Sequence, residues 1–205
     1  MIMDNLLATI KEISDILSVM EDIVGVTSVV EDTISEATEI AANEEENFTG
    51  LLFQGIENMP EIKQLMLNGE FEAAVINPEL IYHPCQLTQA SVKTLISSKR
   101  NQLKTKSLYA ELLYNLHPSR SIRDAIEAMG VQDEATEALF AVYGKRKGTI
   151  DLLNKYVKGN VASADKIASL RNVDSIKKLY KIKDCLTDDE KILAYILTVL
   201  SCKEV

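Results

Sequence analysis

Between residues 4 and 24, apolar side chains recur at Leu6, Ile10, Ile13, Leu17, Met20 and Val24. Steps of four and three residues are the heptad spacing of a helix that buries one seam. Gly25 interrupts the pattern, and Val30, Ile34, Ala37 and Ala41 form a second seam. One helix kinked at Gly25, or a pair of helices meeting there, is expected. The polar run "NEEENFTG", 43–50, breaks the pattern and reads as a linker. Pro60 fits the first position of a short helix closed by Asn68-Gly69. The piece "EFEAAVIN" stops at Pro78, and residues 77–85, with two prolines, read as a loop holding a single turn.

A helical pattern resumes at Thr88 with Val92, Leu95, Ile96 and Leu103. It continues through Leu108, Leu112, Leu113 and Leu116 to His117-Pro118. "KTKS", 104–107, either interrupts one long helix or is only its exposed part. Beyond it the chain is punctuated by caps. Ser121 opens 122–129 and Gly130 follows its end. Asp133 opens 134–143 and Gly144 closes it. Thr149 opens 150–158, Ser163 opens a helix towards Leu170, and Asn172 or Asp174 opens one towards Ile182. Thr187 to Glu190 forms a capping box before "EKILAYILTVLSC". That last segment is apolar nearly all round, so it belongs in a core, with Ile192, Ile196 and Val199 inside.

No strand is expected. The fold class is all-α, an N-terminal amphipathic helix or helix pair followed by an irregular bundle of mostly short helices. Three parts are expected: an acidic helical segment 1–45, short helices and loops over 46–86, and a basic helical domain 87–205. With only 8 Gly, 4 Pro and no Trp in 205 residues, the composition favours helices over a turn-rich β fold.

Charge changes the picture more than composition does. Residues 1–80 hold 17 Asp/Glu and 2 Lys/Arg, whereas 81–205 hold 14 and 20. Such asymmetry points to a charged partner or to the two halves neutralising each other. The basic stretch 142–160 carries Lys145, Arg146, Lys147, Lys155 and Lys158, with Asp151 its single acid. Arg171, Lys177, Lys178 and Lys181 follow, in company with Lys166 and Lys183. These side chains suit an acidic protein or non-specific contact with nucleic acid phosphates. Motif-level support for nucleic acid is thin. The helix-turn-helix outline of 121–144 places Asp133, Glu134 and Glu137 where phosphates would repel them. Residues 163–184 lack the glycines of a helix–hairpin–helix.

No catalytic chemistry stands out. There is no phosphate loop, nucleophile elbow or HExxH motif. His83 and Cys85 offer two ligands for a metal, and no third is apparent. Neither metal, cofactor nor small-molecule substrate is expected. Cys85, Cys185 and Cys202 are odd in number and far apart, which suits reduced thiols in an intracellular compartment. Charges at Lys11, Glu12, Asp15, Glu21 and Asp22 exclude a signal peptide or a membrane span at the N-terminus. Its acidic polar face also argues against lying on a membrane.

The preferred function is therefore a non-catalytic interaction or assembly protein, a soluble one. It would bind a protein partner, or itself, through the seam of residues 4–24. The alternative is a nucleic-acid-binding accessory factor using the basic C-terminal helices. Six apolar side chains worth roughly 1.5–3 kcal/mol each need cover. A surface rimmed by Lys99, Arg100, Lys104 and Lys106 would suit the acids that flank them.

Overall fold

In the computed structural model of this chain, residues 48–204 are described, apart from Phe71, Lys145 and Ala164. The seam of Leu6, Ile10, Ile13, Leu17, Met20 and Val24 lies outside the described residues, as does the choice between one N-terminal helix and two.

Four strands overturn the all-α expectation. Strands β1 (Phe48–Gln54), β2 (Ala74–Ile76), β3 (Glu137–Tyr143) and β4 (Asn160–Ala162) form an antiparallel sheet in the order β2-β3-β1-β4. The fold is α+β. Pairing of β1 with β3 runs from Phe48 opposite Tyr143 to Gln54 opposite Glu137. The Gln54 amide donates to the Glu137 carboxylate at 2.8 Å and closes that ladder. At the β2 edge, an antiparallel bridge from Ile76 to Gly130 and a bond from the Asn77 amide to the Met129 carbonyl at 2.8 Å take up backbone groups.

The correction has a definite cause. Residues 134–143 read as a helix because "EALFAVY" is a continuous apolar run between Asp133 and Gly144. A strand buried on both faces gives the same signal, and periodicity alone does not separate the two. Here both faces are covered. Leu139 and Ala141 point to one cluster with Phe48, Leu52, Ala74 and Ile76. Ala138, Phe140 and Val142 point to another with Leu51, Phe53 and Val75. The Phe53 and Phe140 rings meet edge to face, with centroids 5.4 Å apart.

Eight helices are described: α1 (Met59–Leu67), α2 (Cys85–Lys99), α3 (Leu108–Leu116), α4 (Ile122–Met129), α5 (Arg146–Tyr156), α6 (Lys166–Leu170), α7 (Val173–Tyr180) and α8 (Asp189–Ser201). Met59 and Ile62 of α1 and Leu153 of α5 cover one sheet face. Leu87 and Ala90 of α2, Leu112 and Leu116 of α3, Met129 of α4 and Ile167 of α6 cover the other. A third cluster joins α7 to α8 through Tyr82, Ile176, Tyr180, Ile192, Ile196 and Leu200. The Tyr180 hydroxyl docks this pair, donating to the Leu116 carbonyl at 2.7 Å and accepting from the Gln86 amide at 3.2 Å.

Some caps read from the sequence held and others did not: the last helix is capped by Asp188 rather than Thr187, Thr149 falls inside α5, and Asp165 rather than Ser163 precedes α6. Ser121, Asn172 and Asp188 accept from the backbone N–H groups of Asp124, Ser175 and Lys191. Ile192 and Ile196 are buried as expected, whereas Val199, expected inside, is only half-buried. The run from Thr88 to Leu116 is two helices. Asn101, at φ 53°, is in the left-handed region between them. The loop that follows is held by Glu111, a buried carboxylate that accepts from the Lys104 and Thr105 amides at 3.0 and 2.8 Å.

Candidate protein-interaction surface

Helix α4 leaves two isoleucines exposed. Ser121 caps it, with the Asp124 amide donating to the Ser121 hydroxyl at 3.2 Å. Gly130 ends it: a Cβ there would lie 2.7 Å from the Ile126 carbonyl oxygen, so a larger residue would force the chain apart. Ala125 and Met129, one helical turn apart, face the core and are fully buried. Ile122 and Ile126, also one turn apart, are 38% and 42% exposed. Arg123 and Glu127 pair at 2.8 Å on the exposed side. Two exposed isoleucines in register on a rigid helix, edged by a charge pair, make an apolar strip with a polar rim. That is one arrangement found at protein-binding surfaces.

The residues leading into α4 are tied down by hydrogen bonds. The His117 ring accepts the Ser119 amide on Nδ1 at 3.1 Å, and the Ser119 hydroxyl accepts the Ser121 amide at 3.1 Å. Arg120 Nε donates to the Lys203 carbonyl at 2.9 Å. Lys203 is itself buried, with its ammonium 3.2 Å from the centre of the Tyr114 ring and donating to the Tyr114 carbonyl near the end of α3. Burial, and then the charge of Lys203, push the His117 pKa below its ordinary value. Neutral His117 is the form that accepts the Ser119 amide. The C-terminus of the chain thus braces the segment that presents Ile122 and Ile126.

The basic residues expected to meet a partner lie in different layers. Lys145 is outside the described residues, and Arg146 and Lys147 open α5. Near the other end of α5, Lys155 sits 4.8 Å from the Tyr156 ring centre. Lys158 pairs with Glu61 at 3.0 Å; a hydrogen bond from Asn58, and then that from Lys158, lower the Glu61 pKa. Arg171 stacks on Tyr82 at 4.3 Å and reaches Asp189 at 3.3 Å. Tyr82 donates to the other Asp189 oxygen at 2.5 Å, and burial with that bond pushes the phenol up to about 12. Arg171 therefore works inside the fold, latching the start of α7 to α8. Lys177 and Lys178 occupy the last turn of α7, and Lys181 follows as its left-handed cap. That is where a helix dipole favours cations.

Among the described residues no group of His, Cys, Asp or Glu has the make-up of a metal site. No described helix is long and apolar enough to cross a membrane. Among the described residues Cys85, Cys185 and Cys202 are in no disulfide. Sequence reasoning placed Ile122 and Ile126 in the helix 122–129 without singling them out. The signal that could have separated them is Ile122, Ala125, Ile126 and Met129 together, an apolar set too broad for one small helix to bury.

Several known proteins resemble this chain. The profile of a family described as "Kinase binding protein CGI-121" matches residues 53–204. A relative from Danio rerio, "EKC/KEOPS complex subunit TPRKB", is 30% identical over 162 residues, covering 78% of this chain and 90% of the relative. "EKC/KEOPS complex subunit cgi121" of Aspergillus fumigatus is 26% identical over 153 residues, 68% of this chain and 79% of that protein. The CGI121 subunit of Yarrowia lipolytica is 24% identical over 143 residues, 68% and 82% of the two chains.

Proposed function

The chain belongs to the family of the kinase binding protein CGI-121, and from that premise we propose that it is a non-catalytic subunit of an EKC/KEOPS-type complex. It acts by binding a protein kinase. Its role is interaction and assembly inside the cell, and its chemistry is that of a surface. The observation that carries the proposal to a place in the fold is the exposed pair Ile122 and Ile126 on a helix whose leading residues are held by hydrogen bonds. Covering two isoleucines with a partner's apolar groups removes area worth roughly 1–2 kcal/mol each, about tenfold in affinity apiece. The flanking Arg123 and Glu127 set orientation at the rim.

The nucleic-acid alternative gains no support. The family is described by a protein it binds, the relatives are named as complex subunits, and Lys158 and Arg171 have acidic partners within the fold.

The test is a calorimetric titration of the full chain with the purified kinase of an EKC/KEOPS complex. Ile122→Asp with Ile126→Asp weakens binding at least a hundredfold and leaves the thermal melt within a few degrees of the parent. Unchanged affinity in a folded double variant removes α4 from the interface. No binding by the parent chain removes the kinase reading itself.

A further inference from the structure

Helix α4 is held at its two ends by different parts of the fold. At its end the Met129 carbonyl accepts the Asn77 amide at 2.8 Å, and Gly130 bridges to Ile76, which fastens this end to the edge strand β2. Its start, where Ile122 lies, follows the turn 117–121 that leaves α3. One distant residue grips that turn from both sides. Lys203 lies in a short 3-10 turn, Cys202–Glu204, after α8. Its ammonium donates to the Tyr114 carbonyl, which also accepts the His117 amide at 3.2 Å where α3 ends. Its own carbonyl accepts Arg120 Nε at 2.9 Å, just before α4 begins. Lys203 is placed in turn by α8, whose last residues are fastened to α2. The Gln89 amide donates to the Leu197 carbonyl and the Lys93 ammonium to the Leu200 carbonyl, each at 2.9 Å. At 5% exposure Lys203 is too buried to be a partner contact itself.

We propose that Lys203 is a positioning residue for the partner-binding helix: by clamping Tyr114 and Arg120 together it sets the angle at which α4 presents Ile122 and Ile126. The inference rests on the reading of α4 as the kinase-binding surface. Helix α4 has only 8 residues, and its end stays on β2. If its start is released the helix swings about that end, and Ile122 moves more than Ile126. A partner matched to one arrangement of the strip must then order the helix as it binds, which costs affinity. An ammonium suits the clamp because a charged donor holds a carbonyl more firmly than a neutral one, and the Tyr114 ring adds its own attraction.

Lys203→Met keeps the apolar stem and removes the ammonium. In the free chain, hydrogen exchange should accelerate at the Ser119, Ser121 and Asp124 amides, which lead into α4, and stay parental at Ser175 and Lys191, which begin α7 and α8. Calorimetric titration with the purified kinase of an EKC/KEOPS complex should show affinity weakened about tenfold, the scale of a lost preorganisation. Asp188→Ala, which uncaps the other end of α8, keeps parental affinity and so separates position from stability. Arg120→Met opens the other half of the clamp, and the double variant K203M/R120M loses no more than the weaker-binding single variant, as members of one unit do. Parental affinity or unchanged exchange in K203M overturns the proposal. An equal loss of affinity in D188A does so too, and additive losses in the double variant would make Arg120 a separate contact. Should K203M fail to fold, R120M, at an exposed position, carries the same exchange and affinity readouts. A parent chain that binds no kinase overturns the α4 reading and this proposal with it, whereas parental affinity in K203M overturns this proposal alone.

Discussion

Replacing Glu111 by alanine would remove the group that holds the α2–α3 loop in shape. Its carboxylate is 2% exposed and accepts from two successive backbone amides, Lys104 at 3.0 Å and Thr105 at 2.8 Å. Hydrogen bonds to a charged acceptor contribute roughly 1.5–3 kcal/mol each. Lys104 is exposed and Thr105 half-buried, so water recovers part of what both amides lose. The net cost of Glu111→Ala is therefore about 3 kcal/mol, near the lower bound for two such bonds. With a urea dependence of about 2 kcal/mol per molar, the unfolding midpoint falls by about 1.5 M. Glu111→Gln keeps a neutral acceptor of the same reach and loses about half as much. Chemical denaturation of the three proteins measures both shifts. Hydrogen exchange at the Lys104 and Thr105 amides should accelerate in the alanine variant before global unfolding does. A Glu111→Ala protein that unfolds at the parental urea concentration would refute the account. So would a glutamine variant as unstable as alanine, which would assign the effect to charge or packing elsewhere.

Phe140→Ala, which empties a fully buried site against Phe53, lowers stability by roughly 3–5 kcal/mol in the same urea assay. Ile196→Asp places a charge in the α7–α8 cluster and costs several kcal/mol, of order 3 or more, visible as a lowered melting temperature. Asp188→Ala removes the cap of α8 at a cost of about 1 kcal/mol. The His117 pKa is lowered in the folded chain, so the unfolded chain takes up the proton first as pH falls. Stability is full above the ordinary histidine pKa, declines as pH drops from there towards the lowered folded value, and levels off below it. His117→Gln should flatten that part of a stability-against-pH curve, and an unaltered slope would assign it to another group.

Much of this protein was determined locally. Ser121, Asn172 and Asp188 each carry an oxygen that satisfies an amide of the next turn, and no distant contact is needed for that choice. The start of α4, α7 and α8 and the burial of Ile192 and Ile196 were accordingly legible in the chain. The sheet was not. "GLLF" and "ALFAV" are short apolar runs with no alternation, because helices cover both faces of β1 and β3. Whether such a run coils or extends is decided by its partner, and the partner of β3 lies about ninety residues upstream. The all-α expectation failed on such long-range pairings. Surface roles divide the same way. The sequence showed where charge is concentrated, but only the tertiary structure assigned Arg171 to Tyr82 and Asp189 and Lys158 to Glu61. It also left Ile122 and Ile126 outside the core, because Ala125 and Met129 already fill the space that α4 covers. Caps act over one turn of chain. Pairing and exposure depend on which distant residues arrive at the same place, and folding settles that.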